Sequence, residues 1–188
     1  MNREVERILA LPGTGVVRAS TQAELDVRAP ALLRGDHDMR VLVLEPLLGE
    51  VDLAGCLLKP AWGAANERGL HPLVTVPSGR IGWVILSGGS EPLPSAVARS
   101  VRDQCAEADV PFWFEGWGDW FPRDQWEGNP ELALPDDDCF ESYWAFMSKG
   151  NTHLFDSGGG MAYRVGAASS GRALDGCEHD GLPAKGNA

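Results

Sequence analysis

An α/β fold of about four parallel strands, with helices outside them and an irregular acidic C-terminal extension, is predicted by three features of this sequence. Four short apolar runs, Val16–Ala19, Val41–Leu44, Trp83–Leu86 and Phe112–Phe114, are rich in β-branched or aromatic residues and nearly continuous rather than alternating. Strands covered on both faces read this way. Two helical patterns fall between them, and beyond Gly118 the texture becomes turn-rich and acidic.

The chain opens with a charged amphipathic stretch, MNREVERILALPG. After the first strand, Thr21–Leu33 is expected as a helix, because Thr21 and Glu24 have the spacing of a capping box and Ala23, Val27 and Ala31 recur every four residues. Pro30 is expected to kink or shorten it, since proline lacks the amide hydrogen an inner turn requires. The connection over 49–80 contains WGAANERG and a short strand, Leu73–Val76, closed by Pro-Ser-Gly, and reads as an insertion. Ser95–Ala108 follows Pro92 and Pro94 and places Val97, Val101, Cys105 and Ala108 on one helix face. The order β-α-β, long connection, β-α-β is that of parallel units. The extension, 119–165, contains WFPRDQWEGNPELALPDDD, the aromatic segment SYWAF and a loop, GNTHLFDSGGG. A single domain is expected over 1–176, and the few apolar residues of 177–188 suggest a flexible tail.

At 188 residues the chain is long enough for one substantial core and short for two. Its formal charge is −11, divided as −3 over residues 1–110 and −8 over 111–188. Nucleic-acid affinity comes largely from Lys and Arg displacing counterions, so direct binding to DNA or RNA is disfavoured. No apolar run is long enough to span a bilayer and no signal-peptide core is present, so the expected location is the cytoplasm. Cysteines at 56, 105, 139 and 177 lack metal-ligand spacing and read as mostly buried thiols in a reducing compartment.

Four segments resemble a bacteriophage family known as the gp-thirty-seven/gp-sixty-eight family, a domain of unknown function related to radical-SAM barrels. They are LEPLLGEVDL (44–53), GWVILSGGSEP (82–92), SVRDQCAEADVPFWFEGWGDW (100–120) and YRVGAASSGRALDG (163–176), with VVRASTQAE (16–24) similar to an earlier strand and loop. The resemblance implies the later half of such a barrel, hence a partial (β/α) barrel. Full-length relatives carry a further segment with three clustered cysteines, which in radical-SAM enzymes hold a [4Fe–4S] cluster with SAM on the fourth iron. The cysteines here are 34 to 49 residues apart, so no cluster is expected on the isolated chain. Relatives tend to carry Lys-Gln where this chain has Glu115 and Gly116.

Strand C-terminal ends build the active face of parallel barrels. Ser20, Glu45, Gly88, Gly89, Glu91, Glu115 and Trp117 fall there and are the candidate ligand-binding residues. Glu45 and Glu91 suit a ligand amine or ribose hydroxyl, though Glu45 equally suits tying down its own loop. Ser87-Gly-Gly-Ser90 either admits an anion or makes a tight strand-to-helix turn. The aromatic residues from Phe112 to Trp126 read chiefly as core and edge cover, and Asp136–Asp138 as a solvated charge run rather than a hard-metal site. His37, His71, His153 and His179 have no paired ligand motif. Three functions follow: a partner or remnant half-barrel completed by a second copy or by a separate N-terminal chain bearing the cluster; a pseudo-enzyme keeping part of a SAM pocket; or a metal-assisted enzyme using Glu45, Glu91 and Glu115.

Overall fold

The computed structural model describes residues 2–57, 79–128, 150–155 and 160–183. In chain order the elements are α1 (Arg3–Leu9), β1 (Thr14–Ala19), α2 (Gln22–Arg34), β2 (Met39–Leu44), α3 (Ala54–Leu57), β3 (Trp83–Gly89), α4 (Ser95–Glu107), β4 (Phe112–Gly118), β5 (Trp120–Pro122), a 3-10 turn (Arg123–Gly128), β6 (Thr152–Leu154), β7 (Met161–Arg164), β8 (Ala173–Leu174) and β9 (Cys177–Glu178). The expected strand Leu73–Val76, the SYWAF segment and Asp136–Asp138 lie outside the described residues.

β1 to β4 form one parallel sheet in sequence order, as the apolar runs predict. Its two faces bury separate clusters. On one, Leu42, Leu44, Val84, Leu86, Phe112 and Phe114 pack with Leu25, Ala29, Leu32 and Leu33 of α2 and Val97, Ala98, Val101 and Cys105 of α4. On the other, Val41, Val43, Trp83, Ile85 and Trp113 are covered by Val5 of α1, with Ile8 and Leu9 beside it. The amphipathic opening of the chain thus roofs the face that α2 and α4 do not.

Thr21 caps α2, its hydroxyl accepting the Glu24 N–H, while the Glu24 carboxylate accepts the Ser20 N–H at 2.8 Å. The buried face of α2 differs from the expected one. Val27 is 78% exposed and Ala23 and Ala31 are exposed, whereas Leu25, Ala29, Leu32 and Leu33 are buried. The leucines remove more apolar surface from water than the alanine series, and they set the rotation of the helix. α2 also runs through Pro30 to Arg34 without ending there.

The extension contributes a three-stranded antiparallel sheet, β5-β7-β6, so part of it is regular. Residues 177–183, expected as tail, are built into the fold. The Gly181 N–H donates to the Phe112 carbonyl at 3.0 Å and the Phe114 N–H donates to the His179 carbonyl at 2.9 Å, so this segment runs antiparallel along the outer edge of β4. The Trp83 indole N–H donates to the Gly181 carbonyl at 2.7 Å. Between β8 and β9, Asp175 and Gly176 both have positive φ, 55° and 74°, the pair of values a tight hairpin turn requires.

Asp175 also joins this hairpin to α4. Its carboxylate accepts from Arg99 at 2.7 and 2.9 Å, from Arg102 at 2.6 Å and from Gln125 at 3.1 Å. Gln104, one turn along the same helix, accepts the Leu53 N–H at 2.7 Å and donates to the Val51 carbonyl at 2.9 Å. Cys105 completes the RDQC run in the core, where burial pushes its thiol up to about 12. The nearby Cys56 thiol is pushed up to about 11, mainly by burial. Three of the segments that carry the family resemblance are therefore fastened to one another through α4.

Candidate functional site at the strand ends

Strand register brings the polar residues together. Ala19, Leu44, Leu86 and Phe114 align across the four strands and belong to the α2/α4 core. One residue further on stand Ser20, Glu45, Ser87 and Glu115. Glu115 is the residue passed over where the register steps from Leu86–Phe114 to Ser87–Gly116. Its carboxylate accepts the Trp113 indole N–H at 2.9 Å, so it lies on the α1 side with that ring. The sheet thus ends in a polar row of two hydroxyls and two carboxylates. Glu45 and Glu115 stand two strands apart, about 10 Å at the usual strand spacing.

Glu45 also accepts from Arg18 of β1, at 2.7 Å, with the glutamate side chain 34% and the arginine 51% exposed. Together with Glu6 and Leu9 of α1 and its C-cap residue Ala10 the pair lines an open hollow of about 450 Å³. The Ser20 hydroxyl is 3.4 Å from the Glu45 carbonyl, so it holds the loop as well as facing the site. The Glu45 carboxylate thus goes to Arg18 and the hollow, while the contact with Ser20 is made by the Glu45 backbone carbonyl.

The two candidate glycines have a packing reason for lacking a side chain. A Cβ on Gly88 would sit on the Trp117 carbonyl, and one on Gly89 would meet Pro46 Cβ at 2.7 Å. A Cβ on Gly118, whose φ is +73°, would meet the backbone of Gly89 from the other strand. The Ser-Gly-Gly-Ser run is therefore the place where β3 and β4 approach closely past the bulge. Trp117 is fully buried, its indole N–H donating to the Ala173 carbonyl at 2.9 Å and its ring edge-on to Phe114 at 4.8 Å. It is a core residue. Glu91 is exposed beyond β3.

Ser20, Glu45 and Glu115, expected at the strand ends from the sequence, stand in the row. Ser87 reads in the sequence only as part of a glycine motif, and Arg18, inside β1, reads as an ordinary strand residue. The structure shows burial alternating along β1, with Val17 and Ala19 buried and Val16 and Arg18 exposed, which the run Val16–Ala19 does not reveal as a sequence. Among the described residues no three His, Cys, Asp or Glu side chains converge as a metal site would require, and no helix is long and apolar enough to cross a membrane.

Fold and site together define an α/β protein built on a four-stranded parallel sheet, with a polar row and a small hollow at the strand C-terminal ends. The chain belongs to the family described as protein of unknown function (DUF5131), whose family pattern matches residues 13–183. No curated protein and no solved structure matches it.

Proposed function

We propose that the chain is a phage-type, radical-SAM-like half-barrel that works as a subunit, completed along β1 by a second half carrying the iron–sulfur cluster. The observation that supports this most is the contrast between the sheet edges. The outer edge of β4 is taken by residues 179–181, whereas no strand pairs with the outer edge of β1 among the described residues, and Val16 there is 39% exposed. An open strand edge is a template for pairing with another chain.

Light scattering coupled to size exclusion at low micromolar concentration tests this. The expected species is larger than 20.2 kDa, or becomes so when the cluster-bearing half is co-expressed. A stable monomer that binds no hydrophobic dye and ignores that half would overturn the proposal.

The polar row itself favours a second reading, a pseudo-enzyme that binds SAM or a related adenosine compound. Glu45 is the residue on which it depends, as acceptor for a ribose hydroxyl or an amine. Calorimetry with SAM should give heat in the wild type and a weakened isotherm in Glu45→Gln. No heat at millimolar SAM removes this reading. The metal-assisted alternative draws no comparable support, because Glu45 and Glu115 stand two strands apart and Glu91 lies exposed beyond the row.

A further inference from the structure

We propose that the hollow between α1 and the ends of β1 and β2 binds the head group of a small amino acid, its carboxylate on Arg18 and its ammonium between Glu45 and Glu6. This rests on the reading of the strand ends as a ligand site, and it names the chemical class of the ligand. The lining supplies each part of the argument: one guanidinium, two carboxylates, and apolar walls from Leu9 and Ala10.

The charges select the ligand. A bare carboxylate would meet Arg18 but also two carboxylates of its own sign, so an anion alone is disfavoured. An ammonium has three rotatable donors and can be shared between two carboxylates. A zwitterion satisfies both signs at once. The Arg18–Glu45 pair is already in contact, yet with the two side chains 51% and 34% exposed it is heavily screened by water. Pairs this exposed contribute little, so a ligand that opens it and forms two pairs in its place gains on exchange. Leu9 and Ala10 leave room for a short aliphatic stem. The volume, about 450 Å³, lies in the range of small-molecule sites.

Three probes separate these contributions when titrated into the full chain by calorimetry: L-norleucine, which has both charges and a stem; pentylamine, which lacks the carboxylate; and hexanoate, which lacks the amine. Norleucine is expected to bind with a Kd of about 1 mM, pentylamine about tenfold more weakly, and hexanoate not detectably. Arg18→Gln should weaken norleucine about tenfold and leave pentylamine unchanged. Glu6→Gln, at an exposed position of α1 where folding is little affected, should weaken both amines severalfold. Hexanoate binding as well as norleucine, absence of norleucine binding at about 50 mM, or indifference to Glu6→Gln would each overturn the inference. Adenosine, which has the ribose but no amino-acid head group, is titrated in parallel and keeps the two proposals distinguishable. Heat with adenosine that depends on Glu45, alongside silence with norleucine, sinks the amino-acid site and leaves the adenosine reading standing. Norleucine binding without any adenosine heat does the reverse.

Discussion

The two edges of the parallel sheet are finished in different ways. β4 is aromatic, and the chain returns to cover it: residues 179–181 pair along its outer edge, Arg172 lies over the Trp113 ring at 4.7 Å, and the Arg172 guanidinium donates to the Phe114 carbonyl at 3.3 Å. Asp180 and Glu178 hold that arginine from the other side. β1 is treated otherwise. Its burial alternates, it exposes Val16 and Arg18, and an arginine of α2, Arg28, donates to the Arg18 carbonyl at 2.7 Å. The outer edge of β4 is thus paired along its backbone, whereas at β1 a side chain reaches the edge carbonyl of Arg18.

The largest effect is expected where β3 meets β4. In Gly88→Val the added side chain collides with the Trp117 carbonyl, a backbone atom that cannot rotate aside. Overpacking of this kind should cost at least about 3 kcal/mol in urea unfolding. A loss under about 1 kcal/mol would mean that the strands separate easily and that the β4 side is no firmer than the β1 side.

Next comes the clamp that ties the covering hairpin to α4. Hydrogen bonds from Arg99 hold the Asp175 carboxyl well below the usual carboxylate range, against the opposing effect of partial burial, with Arg102 and Gln125 adding to them. With the side chain 35% exposed, solvent screening reduces its worth, and Asp175→Asn should cost about 1–2 kcal/mol at neutral pH. Because the carboxyl is more acidic folded than unfolded, its contribution is complete above the unfolded value near pH 4 and fades as pH falls toward the folded one. The stability difference between wild type and Asp175→Asn should therefore shrink on acidification from pH 5 to about pH 2, and a difference that stays constant would show the carboxylate charge to be irrelevant.

Gln104→Ala removes two hydrogen bonds that hold the Val51–Leu53 backbone to α4, and a loss of about 1 kcal/mol in thermal or urea unfolding is expected. The smallest effect belongs to the open edge. Val16→Lys should change the stability of the isolated chain by less than about 0.5 kcal/mol, since the side chain is already 39% exposed. The same variant should abolish association through β1 in light scattering, whereas an associated species unaffected by it would place the contact elsewhere.

Much of the fold was legible because hydrophobic runs report burial directly. All four parallel strands contain their predicted cores, and α4 carries its predicted face on Val97, Val101 and Cys105. The rotation of α2 was misread because a regular spacing of small residues competed with an irregular set of leucines, and burial follows area rather than regularity. Residues 177–183 were read as tail because they hold few apolar side chains, but what fixes them is backbone pairing with β4, which composition does not record. The polar row was partly legible, since residues just past strand ends can be picked out once the strands are known. Arg18 could not be recognised that way. Its importance depends on Glu45 lying on the neighbouring strand and on α1 folding over both, and neither is a local property of the sequence.

The segment along β4 also governs how copies of this protein meet. A sheet open on both sides can stack end to end without limit, one molecule's first strand against the next one's last, which is the geometry of a fibre. With residues 179–181 lying on β4, that head-to-tail route is blocked, and among the described residues the edge left for such a contact is that of β1, which could meet only another β1. Such a contact uses the same surface twice, is related by a two-fold axis, and is complete with two molecules. Seven residues that read like a loose end thus fill a sheet edge that a neighbouring strand would otherwise be free to pair with.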